Sequence, residues 1–358
     1  MDRPDGGPGP SAGDRVRSVH GRRDPAGART GKARTGTART GKVRARTPHP
    51  GRLTAWAELL RVSALFTVPG DALAGAAAAG ARPHRRILLA IGTSLCLYEA
   101  GMALNDWSDR DEDAAERPHR PVPSGRISPA AALTAASALT AAGLALAARA
   151  GRVPFTVATT LAATVWAYDL RLKHTALGPA AMASARALDL LLGAAATRPG
   201  TTPAPRTAPA LRATPALRAA LPQAGLLAAH TYAVTAVSRQ ETRGGSTTAP
   251  LAALATALAI TATARGATST VSPHRLPAAE ATVAFTAVAY ARTVLTPLLH
   301  ATLNPSPPLT QRAVGAGVRA MIPLQAALAA RAGAPGTGLA LLGLAPLARR
   351  LARKVSAT

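Results

Sequence analysis

Ten apolar runs, most of them close to the length of a membrane crossing, limit what this chain can fold into more than any other feature. They cover residues 62–81, 87–104, 129–148, 153–168, 177–196, 221–237, 251–264, 278–299, 313–330 and 336–348. A helix needs about 17 to 25 apolar residues to cross a bilayer core. Several of the runs are short or interrupted by Gly and Pro. A soluble Ala-rich bundle would keep a charged face along each helix, and these runs lack one. The chain therefore reads as all-α, a polytopic membrane helical bundle rather than a soluble core. Ala dominates the apolar residues, and aromatics are only 3% of the 358, so few rings are on hand to line a cavity.

Ahead of the first run the composition changes. Residues 1–52 hold 13 Lys or Arg against 4 Asp, with a period-five repeat from Ala28 to Lys42. We take residues 1–54 as a disordered basic tail and 55–358 as the membrane domain. The tail has the charge to meet anionic lipid headgroups. No aromatic residues interleave with its arginines, which argues against nucleic acid. Its charge also favours a cytoplasmic N-terminus, placing loops 105–128, 169–176 and 238–250 on the same side. Arginines on the opposite loops, such as Arg82, Arg85, Arg206 and Arg212, weaken that argument. The one cysteine, Cys96, lies inside an apolar run and excludes an intrachain disulfide. Residues 197–222 read as a Pro/Thr/Ala/Arg-rich loop.

The chemistry concentrates after the second run. Asn105-Asp106-Trp107-Ser108-Asp109-Arg110-Asp111-Glu112-Asp113 sets six carboxylate or amide side chains at the mouth of a span. Read as helix, Asn105, Asp109 and Asp113 share one face. Such oxygens suit a hard cation, Mg2+ above all, bridging to substrate phosphates; the competing reading is an acidic helix end that only meets solvent. Arg117 and Arg120 follow, with planar donor forks suited to phosphate. Pro121, Pro123 and Gly125 predict a rigid turn, and Ser128-Pro129 an N-cap and first turn of the next span.

At these residues the chain resembles the UbiA superfamily of membrane prenyltransferases. Asn105, Asp106, Asp109, Asp113, Arg117, Arg120, Pro121 and Gly125 match its N-D-x-x-D-x-x-x-D and R-x-x-R-P-x-x-x-G segments in residue type and spacing. The resemblance implies about nine spans around a central cavity. It also implies transfer of a prenyl group from a prenyl diphosphate to an acceptor, with Mg2+ held by Asn105, Asp106, Asp109 and Asp113. Tyr168 and Lys173 match a further family pattern, with His174 where Arg is expected. Lys173 then reads as a diphosphate ligand or as a snorkelling interfacial lysine. Arg186 and Asp189, inside the fifth span, read as functional groups or as a mutual salt bridge. Arg61, beside Glu58, resembles a common family feature or is simply interfacial.

The family's second acidic motif is missing. The loop after the sixth span reads Ser238-Arg239-Gln240-Glu241-Thr242-Arg243, with one carboxylate, and with Arg239 and Arg243 placed to share a phosphate if helical. This loop and the Val314…Arg319…Pro323-Leu324 region resemble members linked to bacterial Ebo-type gene clusters. The expected catalytic set is Asp106, Asp109, Lys173 and Arg239. The expected substrate-binding set is Arg117, Arg120, Tyr168, Lys173, Arg186, Asp189, Arg239, Glu241 and Arg243. An allylic cation would be stabilised by Trp107, Trp166, Tyr168 and Tyr232. A non-catalytic carrier or scaffold that binds a prenylated or phosphorylated lipid is the alternative that the missing motif raises. A soluble prenyl synthase is the third class, opposed by the apolar runs.

Overall fold

The computed structural model describes residues 51–197, 215–242, 244–266 and 277–355. The expectations for the basic tail up to residue 50 and for Arg243 lie outside these residues, as does most of the 197–222 loop. The described residues form twelve α-helices and no strand. They are α1 Arg52–Leu59, α2 Val68–Ala78, α3 Arg85–Ser108, α4 Arg110–Glu116, α5 Pro129–Ala150, α6 Arg152–Ala167, α7 Gly178–Ala195, α8 Pro215–Ser238, α9 Thr248–Gly266, α10 Pro277–Leu303, α11 Pro307–Arg331 and α12 Pro335–Val355.

Nine of the ten apolar runs fall on one helix each, α3 and α5 to α12, and the first, 62–81, is divided between a 3-10 turn at Val62–Thr67 and α2. Five helices, α3, α5, α9, α10 and α11, are both long and apolar enough to cross a membrane, and a shorter apolar stretch covers Leu65–Ala78. The chain is a multi-pass membrane protein; the expected figure of nine spans corresponds to neither the five nor the ten. Two boundaries differ from expectation. Arg52–Thr54 belong to α1 rather than to the tail, and α8 begins at Pro215, inside the stretch read as loop. Pro215 suits a helix start because its missing N–H has no acceptor there to lose.

Short connections set the packing. α5 passes to α6 through Gly151 at φ 138°, and α11 to α12 through a turn containing Gly333 at φ 88°. Turns this short force consecutive helices to run antiparallel. The cores are built mainly from Ala and Leu. One cluster joins α2, α7, α8, α9, α10 and α11, and another joins α3, α5, α6 and α7. Where α2 and α7 meet, small residues let the backbones touch. A Cβ on Gly75 would lie 1.8 Å from the Leu190 carbonyl oxygen, and one on Gly193 2.0 Å from that of Ala72. Neither position has room for a side chain.

α3 carries the site. α3 has 24 residues, so it rises about 36 Å, more than the ~30 Å of a hydrocarbon core. Its C-terminal end, the start of α5, the end of α6, the start of α7 and the end of α8 all lie toward one end of the bundle. The polar residues that follow α3, α6 and α8 in sequence are gathered there.

Candidate functional site

The acidic stretch is nearly one continuous helix with a break. α3 ends at Ser108 and α4 starts at Arg110, yet the backbone ladder continues: Asp109 N–H donates to Asn105 O at 2.9 Å, Asp113 N–H to Asp109 O at 2.7 Å, and Arg117 N–H to Asp113 O at 2.8 Å. Arg117 then leaves helical geometry at φ −141°, ψ 59°, as the residue before a proline must. The chain turns through Gly125 at φ 73°, a left-handed conformation that glycine adopts without strain. It re-enters helix at Ser128, whose Oγ accepts from Ala131 N–H at 3.2 Å.

The break sorts the motif into two adjoining groups. Asp106 and Asp113, both buried, share Arg120: its Nη1 lies 2.7 Å from Asp113 Oδ2 and 3.5 Å from Asp106 Oδ1. Arg117 also reaches Asp113 at 3.5 Å, and Arg61 reaches Asp106 at 3.5 Å. Asn105 and Asp109 form the second group. Asn105 Nδ2 donates to Asp109 Oδ2 at 3.0 Å and to Asp169 Oδ1 at 3.4 Å. Lys173 pairs with Asp109 and donates to Ser108 Oγ at 2.6 Å. Of the two readings of Lys173, the structure supports a place among the acids and not an outward snorkel. His174 remains exposed, 3.9 Å from both Asp109 and Glu112.

Tyr168, Asp169 and Lys173 owe their placement to a π-turn. Residues Tyr168–Leu172 continue α6 in a wider coil, and Lys173 N–H donates to Tyr168 O at 3.0 Å, five residues back. Such bulges recur at functional sites because they redirect side chains without ending the helix. Asp169 is 5% exposed. Burial pushes its carboxyl up to about 7; Lys173 and the Asn105 amide pull the other way, and Asp109 adds to the rise.

Behind this rim lies a cavity of about 270 Å³ between α3, α6 and α7. Its walls are apolar, with Leu97, Met102, Leu161, Val165 and Met182 among them, and Gly101 leaves the space open. Asn105, Tyr168, Asp169 and Arg61 border one end, and Ser94, Arg186 and Asp189 the other. The 11 residues from Ser94 to Asn105 put the two polar ends about 16 Å apart.

Arg186 and Asp189 do not form the ion pair that their spacing allowed. Arg186 Nη1 lies 3.0 Å from Asp71 Oδ2 on α2, and Ser94 Oγ on α3 donates to Asp189. Gln325 on α11 donates from Nε2 to Asp71 at 2.6 Å and to the Thr67 carbonyl at 2.7 Å. This network ties four helices together and forms the polar floor of the cavity.

Other expected residues fall elsewhere. α8 ends at Ser238 and residues 239–242 form turns, so Arg239 lies beyond the helix; the expectation that it shares a phosphate with Arg243 involves a residue outside those described. Arg239 instead donates to the Thr175 carbonyl. Glu241 is partly buried, which raises its carboxyl, and Arg117 opposes that rise. Of the four aromatics expected to face a cation, only Tyr168 lines the cavity. Trp107 stacks with Arg110, whose Cζ is 5.1 Å from the ring centroid. Trp166 donates to Thr140 Oγ1 at 3.1 Å, and Tyr232 is 49% exposed. Tyr98, missed in the sequence, does line the cavity. Its signal was its position seven residues before Asn105, two turns along the same face. Arg61 is at the rim and not merely interfacial, whereas its neighbour Glu58 pairs with Arg126 at 2.6 Å. Asp71, Ser94, Asp169 and Gln325 were also missed.

The donors at the rim are oxygens: the Asn105 amide and the carboxylates of Asp106, Asp109, Asp113 and Asp169. That set fits a hard divalent cation such as Mg2+, with basic groups beside it for a phosphorylated ligand.

The sequence profile of the UbiA prenyltransferase family matches residues 64–306. Digeranylgeranylglyceryl phosphate synthase of Korarchaeum cryptofilum is 34% identical over 148 residues, covering 41% of this chain and 52% of the relative. The enzyme of the same name from Methanopyrus kandleri is 33% identical over 130 residues, covering 35% of this chain and 46% of the relative. The chain thus spans about half the length of these curated relatives. A solved UbiA homologue from Archaeoglobus fulgidus, bound to GPP and Mg2+, superposes with a TM-score of 0.52 at 18% identity, covering 81% of this chain and 99% of that one. That likeness concerns the fold.

Proposed function

The chain belongs to the UbiA prenyltransferase family, and from that we propose that it transfers a prenyl group from a prenyl diphosphate to an acceptor within the membrane. The observation that carries the proposal is the joining of two chemistries at one place. Asn105, Asp106, Asp109 and Asp113 meet Arg61, Arg117, Arg120 and Lys173 at the end of an apolar cavity. Acids with flanking bases are what a metal-bound diphosphate requires, and the apolar walls are what its hydrocarbon tail requires.

In this reading Asn105, Asp106, Asp109 and Asp113 hold Mg2+, which when bound supplies positive charge to the diphosphate oxygens. Arg117, Arg120 and Lys173 donate to the leaving group as the C1–O bond breaks and its electron pair passes to pyrophosphate. The cavity keeps water from the allylic cation that remains, and Tyr168 and Tyr98 offer it ring faces or edges. The acceptor nucleophile bonds to C1 and releases its proton. The relatives' name places geranylgeranyl groups on glyceryl phosphate, which makes a hydroxyl-bearing phospholipid precursor the first acceptor class to try. Arg186 and Asp189, bound into the floor network, act on the far end of the cavity and not on the diphosphate.

The rim faces the cytoplasm in this proposal, together with the basic tail, whose charge suits anionic lipid. The deciding assay is pyrophosphate release by purified protein with geranyl, farnesyl and geranylgeranyl diphosphates, with and without Mg2+. We expect Mg2+-dependent release that Asp109→Ala abolishes. Release unchanged in that variant would overturn the assignment of roles. The loop after α8, with its single, partly buried carboxylate and an arginine that donates to the Thr175 carbonyl, favours one competing reading, a carrier that binds prenyl diphosphate without turnover. Saturable binding with no product across the acceptor panel would establish it.

A further inference from the structure

We infer that Asp169 is a cation ligand of this site, supplying from the π-turn after α6 the carboxylate that the loop after α8 does not deliver. The inference rests on the diphosphate reading above. The loop after α8 holds a single carboxylate, Glu241, and the charge facing it is Arg117. Its arginine at 239 donates to the Thr175 carbonyl. That loop therefore offers one acid, Glu241, which is only partly buried; the deeply buried acid that faces Asn105 is Asp169.

Asp169 is different from the three acids of the α3–α4 motif. Asp106, Asp109 and Asp113 each lie within ion-pair distance of Arg or Lys. Among the described residues, no basic group lies within that distance of Asp169. Its Oδ1 accepts one long bond, from Asn105 at 3.4 Å. Its Oδ2 accepts none among the described residues, and points toward Gly101, where an added Cβ would stand 3.9 Å away. A carboxylate this deeply buried is costly without compensation. The nearest cation, Lys173, is already engaged by Asp109 and Ser108.

The Asn105 amide explains how a bound ion could answer that cost. Its Nδ2 donates to Asp109 on one side and to Asp169 on the other. Both carboxylates are thereby held within reach of one side chain, with the Asn105 carbonyl oxygen left as a third donor. Asn105 and Asp169 open into the cavity beside Tyr168, and Asp109 is tied to them through the Asn105 amide, so a cation here would take oxygens from two helix ends. Mg2+ fills the rest of its octahedron with water and phosphate oxygens. The α3–α4 motif alone supplies no ligand from the α6 side.

The test is Mn2+ binding by full-length protein in detergent, in the presence of inorganic pyrophosphate, with free Mn2+ followed by electron paramagnetic resonance. Asp169→Asn keeps the shape and removes the charge; we expect it to weaken Mn2+ binding by about 10-fold or more. Asp169→Glu should recover most of that loss, which a purely structural carboxylate would not do. Glu241→Gln, the competing carboxylate, should stay within about 2-fold of wild type. In Mn2+-soaked wild-type crystals the anomalous peak should lie within about 2.2 Å of an Asp169 oxygen. Undiminished binding in Asp169→Asn overturns the inference. So does a peak ligated only by the α3–α4 acids, or a loss confined to Glu241→Gln. If wild type binds Mn2+ through Asp169 yet releases no pyrophosphate from any prenyl diphosphate, the transferase reading fails and this inference stands.

Discussion

Arg120 shows how one residue can serve both stability and chemistry. It stands between Asp106 and Asp113, two buried carboxylates that share its guanidinium. Arg120→Met removes the guanidinium they share and leaves only the longer 3.5 Å contacts of Arg61 with Asp106 and of Arg117 with Asp113. We expect the rate of pyrophosphate release to fall by about 10²–10³-fold and the melting temperature in detergent to drop. Mg2+ with inorganic pyrophosphate should restore part of the lost stability, because the ion replaces the missing charge; a melting curve indifferent to Mg2+ would refute that account. Arg61 makes a contrasting case, since it sits at φ 47°, ψ 47°, a left-handed conformation costing a side chain about 1 kcal/mol. Arg61→Gly removes both the strain and the charge near Asp106. Thermal stability should hold or rise while turnover falls, and a parallel fall in both would show that the arginine is there for folding. Most of this rim was legible along the chain, because residues 105–125 are contiguous and helical spacing says which of them can meet. Asp169 was not, since its meaning comes from the meeting of α6 with the end of α3, 64 residues away in sequence.

Between helices, the decisive positions are those where nothing larger than glycine fits. Gly75 and Gly193 set the spacing of α2 and α7, and α2 holds Asp71 against Arg186 across that seam. Gly193→Val should cost about 1–3 kcal/mol by overpacking, read as a lower melting temperature in detergent, with the prenyl diphosphate affinity reduced as the floor of the cavity shifts. An unchanged melting temperature would mean the seam opens freely. The ten apolar runs announced ten helices because burial in lipid demands continuous apolar length, a local property of sequence. Helix ends were less legible. α8 starts earlier than its Pro-rich flank suggested, and the π-turn at Tyr168–Leu172 has no sequence mark beyond the residues themselves. Both depend on which backbone groups find partners after packing.

For the molecule as a whole, α3 is the measuring rod: its length carries the acidic motif to one membrane surface and Arg85 and Arg86 to the other. The proposed orientation puts the motif in the cytoplasm. In a Cys96→Ser background, Asp111→Cys places a thiol at an exposed rim position. A membrane-impermeant maleimide should label it in inside-out vesicles and not in right-side-out ones; the reverse pattern would invert the topology. The sequence by itself determined that this chain is a membrane-spanning helical bundle, and that residues 105–125 gather acids and arginines at helical spacing after one span. Both follow from local rules, the length of apolar runs and the repeat of the helix. Only the tertiary structure decided how that motif divides into two groups, that Arg186 and Asp189 belong to the floor, and that Asp169 faces Asn105. Those outcomes depend on contacts between helices remote in sequence. They are settled when buried charges find partners during packing, and no spacing along one strand of chain records which partner wins.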